Sequence, residues 1–223
     1  MGVIERRKRE REVRRELAVD AAMAIFEEEG YHAITMEKIA DRAELSRAAL
    51  YLYFKNKEEI LISAMVSLTD YFARLLQDLY DNRERDKDRL LEGLWDCFKK
   101  FYERDPVTFS ASHYFFQSEM IRNLPKELAD ILQESGSKVV GLQHKVVEYG
   151  VKEGVFIQCN PKTLSEVIWT SFLGIVNLER CKNALAHKGH LDITESFALA
   201  VLLRGILAKP PVKGTITSVK SRA

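Results

Sequence analysis

Apolar residues along this chain recur at three- and four-residue spacing over most of its length, and neither an internal repeat nor a convincing strand pattern interrupts them. Leu17, Ala21 and Ile25, flanked by Ala18, Ala22 and Phe26, predict a first helix from about Arg7 to Glu29 with Gly30 as its stop. Met36, Ile39, Ala40 and Ala43 form a second, shorter stripe. A long helix from near Lys57 to Tyr80 follows, and the polar segment from Asp81 to Asp88 reads as a loop into the next helix. Asp105-Pro106 marks a stop and restart, since aspartate caps and proline suits the first helical position. Leu124-Pro125 and Asn160-Pro161 mark two further starts, and Gly189 and Asp192 separate the last two helices. From Lys209 onward the tail is short, polar and basic, and is expected to be disordered. The pattern is that of an all-α protein.

The densest signal lies between Thr35 and Lys57. Thr35 is a good N-cap, with Glu37 in the dipole-favoured first turn. Ser46 is a second N-cap, so a new helix starts at Arg47 with Leu45 packed beneath it. Two short helices joined by a tight turn are the layout of a helix-turn-helix unit, whose second helix enters the major groove. Ala48 and Ala49 are small enough to let the backbone approach base edges, and Arg47 can reach guanine in bidentate fashion. Thr35, Tyr51, Tyr53, Lys55 and Lys57 offer hydroxyl and ammonium donors to phosphate oxygens, which fix register without reading sequence. The plainer alternative is a helical hairpin with a solvated basic end.

The segments Ile39-Ala40, Leu45-Ser46, Leu50-Tyr51-Leu52-Tyr53-Phe54 and Asn56-Lys57-Glu58-Glu59 resemble the N-terminal domain of the TetR family of transcriptional regulators. The resemblance covers about a quarter of the chain, and its Tyr-x-Tyr-Phe-x-Asn-Lys ending is its most specific part. It implies a dimeric, all-helical protein: a basic arm and helix-turn-helix domain over residues 1–56, a helical effector-binding and dimerisation domain over 57–208, and the tail over 209–223. Two departures stand out. Glu44 occupies the turn where the family usually has glycine, and a non-glycine residue in a left-handed turn costs about 1–2 kcal/mol. Ala48-Ala49 replaces a frequent glycine-threonine, which removes one candidate hydroxyl contact but keeps a methyl for thymine.

Charge refines this reading. Seven basic residues stand against two acidic ones between Arg6 and Arg15, a run that can lie along DNA or enter its minor groove, or else simply extend the first helix into solvent. Residues 1–60 hold 12 basic and 13 acidic side chains, so positive charge is expected on one face rather than over the whole domain. At 223 residues, with 46% hydrophobic and 30% charged residues, the chain can bury a real core. No apolar run is long enough to span a membrane, and the charged start does not read as a signal peptide. Cys97, Cys159 and Cys181 are scattered, as expected of free thiols in a reducing cytoplasm.

The body adds two constellations. Trp95, Phe98, Phe101, Tyr102, Phe109, His113, Tyr114, Phe115 and Phe116 fall within 22 residues, with Trp169 and Phe172 further on. Aromatics fill cores, but they also line small-molecule pockets. The expected pocket for an apolar or amphipathic effector comprises Trp95, Phe98, Tyr102, Phe109, His113, Phe116, Gln117, Trp169 and Phe172, with Tyr102, His113 or Gln117 as polar anchors. Val167, Ile168, Ser171, Phe172, Gly174, Ile175 and Leu178 form a broad apolar face with small residues. Phe197, Leu202 and Ile206 belong to a final helix that is apolar around much of its circumference and so must be covered. Ile168, Ser171, Ile175, Leu178, Phe197, Leu202 and Ile206 are the expected dimer contacts, for which the resemblance implies a four-helix bundle between subunits.

Sharper chemistry finds little support. His187-x-x-His190, with Cys181 six residues before it, lacks a fourth metal ligand at a standard spacing. There is no nucleophile elbow, phosphate-binding glycine loop or zinc-protease motif, so no catalysis, cofactor or metal is expected. Two other classes weigh against the regulator: a DNA-bound adaptor whose body binds a protein partner, and an enzyme with an inherited DNA-reading domain, for which His113 alone is a candidate. The expected partners are a palindromic operator, a small effector and a second copy of the chain, with no membrane.

Overall fold

The computed structural model describes residues 2–186 and 189–208. Among them the chain forms α1 (Val3–Glu29), α2 (Met36–Arg42), α3 (Arg47–Tyr51), α4 (Lys57–Asp81), α5 (Leu90–Arg104), α6 (Pro106–Gln117), α7 (Lys126–Lys152), α8 (Pro161–Ala186) and α9 (Leu191–Ile206). Short 3-10 turns occupy Tyr31–Ala33, Lys87–Arg89 and Glu119–Asn123. Beside the helices stands an isolated antiparallel bridge between Phe156 and Leu207. The expected tail from Lys209, and His187 of the histidine pair, lie outside the described residues.

Most helix ends follow from residue chemistry. Gly30 closes α1 at φ 81°, a conformation that glycine adopts without a side-chain clash, and its N–H donates to the Phe26 carbonyl at 3.0 Å. Thr35 caps α2 by accepting from the Lys38 N–H, and Ser46 caps α3 by accepting from that of Ala49. Asn56 caps α4 by accepting from the Glu59 N–H at 2.9 Å. Asp105 caps α6, with Pro106 as its first residue, and Asn160 caps α8, with Pro161 following. Between α2 and α3, Glu44 takes φ 54°, the one positive value among described non-glycine residues. The Leu45 N–H reaches back to the Ala40 carbonyl at 2.9 Å, which closes a left-handed helix end of the kind glycine usually occupies.

Three expectations are revised. The first helix starts at Val3 rather than near Arg7, so the basic run is helical. Leu17 is 46% exposed and lies off the packing face, which is formed by Ala18, Ala22 and Ile25. The polar segment from Asp81 is not loop throughout: α4 runs through Asp81, and Lys87 already begins a helical turn.

The described residues pack as two compact units, those within 1–71 with 101–137, and those within 72–100 with 138–223. Compactness therefore does not coincide with a cut near residue 57, because α6 and the Glu119–Asn123 turn belong with the first three helices. In the first unit, Ala18, Ala22, Ile25, Ile34, Ile39, Ala40, Leu50, Phe54, Ile60, Leu61, Met65, Ala111 and Phe115 form one buried cluster. In the second, Trp95, Phe98, Trp169 and Phe172 pack ring against ring, with centroids 5.0–6.5 Å apart. The buried Glu179 carboxylate there accepts from the His190 N–H at 2.6 Å and from Lys182 Nζ at 2.6 Å, which ties the end of α8 to the start of α9. The Lys182 ammonium, followed by the His190 N–H, holds its carboxyl below the usual range.

A polar latch fastens α4 to the turn ahead of α2. Lys57 Nζ donates to the Ile34 carbonyl at 3.1 Å and sits 4.3 Å over the Tyr31 ring. The Tyr31 hydroxyl donates to Glu58 Oε1 at 3.1 Å. Burial, and then the Glu58 charge, push the Tyr31 phenol up to about 12.

Two outcomes follow from this geometry. Replacing the exposed Glu44 by glycine relieves about 1–2 kcal/mol of left-handed strain against about 0.5–1 kcal/mol of added unfolded-state freedom. Glu44→Gly is therefore expected to raise the thermal midpoint by a few degrees, and an unchanged or lower midpoint in calorimetry would contradict the strain. For Tyr31, the ordinary value is 10.0 and the folded one about 12, so the native state holds a proton that the unfolded chain releases. That stabilisation is complete below pH 10 and is lost as pH rises through 12. In denaturant titrations across that window, Tyr31→Phe should lose stability less steeply than the parent; parallel slopes would refute the assignment.

Candidate DNA-reading surface

α3 has five residues, too few to be stable alone, and is held because Leu50 and Phe54 are buried in the first unit's core. With Leu50 inward, the outward side is Arg47, Ala48, Tyr51 and Leu52, with Lys55 just beyond. Tyr51 is 53% exposed and Leu52 75%, large exposures for such side chains beside a helix end. Ser46, Arg47, Ala48 and Tyr51 thus share one short exposed segment, while Ala49 is half-buried. Thr35 is also exposed, at the head of α2, where its hydroxyl serves as the cap.

Each basic side chain of α2 and α3 is paired with a carboxylate. Arg47 meets Glu37 at 3.1 Å, Lys38 meets Glu29 at 2.7 Å, and Arg42 forms a two-pronged pair with Glu28. The Arg42 guanidinium holds the Glu28 carboxyl below its usual range. Pairs this exposed contribute little to stability, so a phosphate or base edge can displace the carboxylate at small cost.

One expected contact is engaged elsewhere: Lys57 is half-buried, with its ammonium held in the latch. Tyr53 is half-buried, and its backbone carbonyl is taken by Arg15. Arg15 donates to that carbonyl at 3.0 Å and lies 4.4 Å over the Phe54 ring, so α1 clasps the end of α3. Arg15 and Glu37 carry no local sequence signal for these roles: the partners of Arg15 lie 38 and 39 residues away, and Glu37 reads only as a first-turn acid. The basic run of α1 is exposed from Arg6 to Arg14, with Arg6 paired to Glu10 at 3.4 Å, and ends at the half-buried Arg15.

The expected effector-pocket residues fall into both units. Trp95, Phe98, Trp169 and Phe172 make the ring cluster of the second. Tyr102, Phe109 and His113 pack together in the first, where His113 stacks on Phe109 at 5.2 Å, and Phe116 and Gln117 are exposed. Of the expected dimer contacts, Ile168 and Ile206 are 0% and 6% exposed, buried within their own unit. They support the apolar face from beneath and do not form it. Ser171, Ile175 and Leu202 are half-buried, and Leu178 and Phe197 are exposed, joined by Val167, Ile193 and Val201.

Other chemistry is sparse. No group of three or more His, Cys, Asp or Glu side chains among the described residues could hold a metal ion. Cys97 is buried, which pushes its thiol up to about 12 and makes it unreactive, while Cys159 and Cys181 are exposed. No described helix is long and apolar enough to cross a membrane.

Residues 18–64, which span α2, α3 and the start of α4, match the bacterial regulatory proteins, tetR family. The fatty acid metabolism regulator protein of Bacillus subtilis (strain 168) is 36% identical over 72 residues, 32% of this chain and 37% of that protein. This chain thus aligns with little more than a third of that relative's length. The biofilm operon icaADBC HTH-type negative transcriptional regulator IcaR of Staphylococcus aureus (strain Newman) is 25% identical over 131 residues, 54% of this chain and 70% of that one. SmeT of Stenotrophomonas maltophilia, in its complex with triclosan, superimposes with a TM-score of 0.71 at 23% identity, covering 92% of this chain and 98% of that structure. At that identity the likeness speaks for the fold alone. With an exposed and capped α3 inside the matched stretch, and relatives that are themselves regulators, residues 18–64 form a helix-turn-helix segment of the kind found in the tetR family of bacterial regulatory proteins.

Proposed function

We propose that this chain is a transcriptional regulator of the tetR family rather than an enzyme, and that it acts as a homodimer that binds a palindromic operator and is released by a small apolar or amphipathic effector. The observation that carries the DNA half is the exposed Arg47-Ala48 start of a capped α3 inside the matched segment. Arg47 reads a base once freed from Glu37, Ala48 and Ala49 allow close approach, and Thr35, Ser46, Tyr51, Tyr53 and Lys55 meet phosphates. Lys57 serves mainly to position α4 through its latch to Ile34 and Tyr31.

Exposed Val167, Leu178, Ile193, Phe197 and Val201 support a second copy of the chain as the cover for α8 and α9. A two-fold axis through such a face presents two α3 helices to two half-sites. The ring cluster of Trp95, Phe98, Trp169 and Phe172 within the second unit supports an effector with a sizeable apolar body. That SmeT is a repressor and was captured with triclosan, and that the Bacillus subtilis relative is named for fatty acid metabolism, fits a repressor sensing such a molecule. The effector favours a state in which the two α3 helices no longer match successive major grooves, and its influence equals its difference in affinity for the two states, ordinarily about 1–3 kcal/mol.

Selection of genomic fragments by the purified protein at about 0.15 M salt, where non-specific phosphate binding is suppressed, tests the reading directly. A palindrome is expected, with half-sites about one helical turn apart; salt-sensitive retention without a shared sequence would instead favour an adaptor that binds a protein partner. On the selected site Arg47→Ala should relax one base position and cost about 1–3 kcal/mol, whereas Lys57→Ala should lower thermal stability and leave the salt dependence of binding unchanged. Phe197→Glu should convert the dimer to a folded monomer in light scattering and weaken operator binding; a variant that stays dimeric would remove α9 from the interface.

A further inference from the structure

A cleft of about 510 Å³ opens within the first unit, walled on one side by Tyr31, Asn56 and Glu58 and on the other by Tyr114, Glu119 and Met120. Its lining carries two carboxylates, Glu58 and Glu119, and one imidazole, His32, with no lysine or arginine. Tyr31 and Tyr114 stand with ring centroids 6.0 Å apart at 38°, forming an open aromatic corner. The Lys57 ammonium, 4.3 Å over the Tyr31 ring, shows that ring accepting positive charge, and an incoming cation must take the part of the aromatic corner nearer Tyr114 and Glu119, away from Lys57. An anion entering here would meet two like charges, and a neutral apolar molecule would strip water from carboxylates without replacing it. A cation offsets that cost, and Met120 gives an apolar body something to lie on.

We infer that this cleft is a binding site for a small organic cation, an ammonium or amidinium group carried on an apolar body. Glu119 and Glu58 face its charge, Tyr114 receives it on its ring, and Tyr31 closes the aromatic corner beside it. The residues that would touch the ligand also hold the reader together. Tyr31 and Glu58 are members of the α4 latch, and Tyr114 lies 6.2 Å from Phe26 of α1. Occupancy is thereby coupled to the positions of α1, α2 and α4. Only that consequence for DNA rests on the regulator reading; binding itself does not.

The test is calorimetric titration of the full chain with benzyltrimethylammonium and, as the neutral comparison, benzyl alcohol. The ammonium should bind and the alcohol should not, with Glu58→Gln and Glu119→Gln each weakening the ammonium at least about threefold. Glu134→Gln, an exposed carboxylate on α7 outside the cleft, should leave affinity unchanged. Glu119 is exposed and Glu58 anchors Tyr31, so if Glu58→Gln fails to fold, Glu119→Gln decides. Equal binding of ammonium and alcohol, or an affinity indifferent to Glu119→Gln, overturns the site. No DNA enters these titrations, so lost cation selectivity sinks the cleft and not the operator reading, and failure of fragment selection sinks the operator reading and not the cleft.

Discussion

The reading surface depends on a helix that cannot sustain itself. Five residues form scarcely more than one turn, far short of the length at which a helix persists in water, so α3 exists only as a docked element. Its anchors are Leu50 and Phe54, at 0% and 2% exposure among Ala18, Ala22, Ile39 and Ile60. A fully buried side chain of this size contributes about 1.5–3 kcal/mol, against about 0–1 kcal/mol for any surface pair around it. The direction in which Arg47 points is thus set by the core of the first unit. The clasp of Arg15 on the Tyr53 carbonyl and the latch of Lys57 on Ile34 then remove the remaining freedom at the exit of α3 and the start of α4.

Electrostatics in this unit serve restraint more than attraction. The first 60 residues are close to neutral, and the exposed cations of α2 and α3 each rest on a carboxylate of the same unit. If Arg47 reads a base as proposed, DNA must replace Glu37 there, an exchange that costs little at a cognate guanine because two donors find two acceptors. On that proposal the exchange returns less over an unmatched base, so Glu37 would raise the contrast between sites while lowering non-specific affinity. Lys57 extends the same logic: near the expected phosphate path, its charge is committed to a carbonyl and a ring.

What the sequence made legible is what short-range chemistry controls. Thr35, Ser46, Asn56, Asp105 and Asn160 sit at helix starts because their side chains bond to N–H groups two or three residues away, and each can be read locally. Glu44 stood out for the same reason, since only backbone conformation decides its strain. Long-range pairings were opaque. Arg15 with Tyr53, Lys57 with Ile34 and Tyr31 with Glu58 join residues 23 to 38 apart, and nothing in residue type at either end announces the other. The stripe reading of α8 and α9 named the apolar positions but could not say which side each faced, so Ile168 and Ile206 stood beside Leu178 and Phe197 although they point into their own unit. A helix apolar on two sides carries no internal sign of which side is the core.

The division into units bears on how an effector could reach the reader. A ligand acts only through the difference in its contacts between two states, and those contacts must touch something that moves with α3. α6 is such an element, because Ala111 and Phe115 lie in the buried cluster that holds Leu50 and Phe54, and Tyr114 stands against Phe26 and Tyr31. Close-packed interiors do not deform smoothly, so a shift at the end of α6 forces a rearrangement of side chains rather than a graded drift. On the proposed function, the route from effector to operator needs no separate wire: it runs through the same apolar cluster that gives α3 its stability, so a substitution that loosens that cluster would weaken both the reading of DNA and its control.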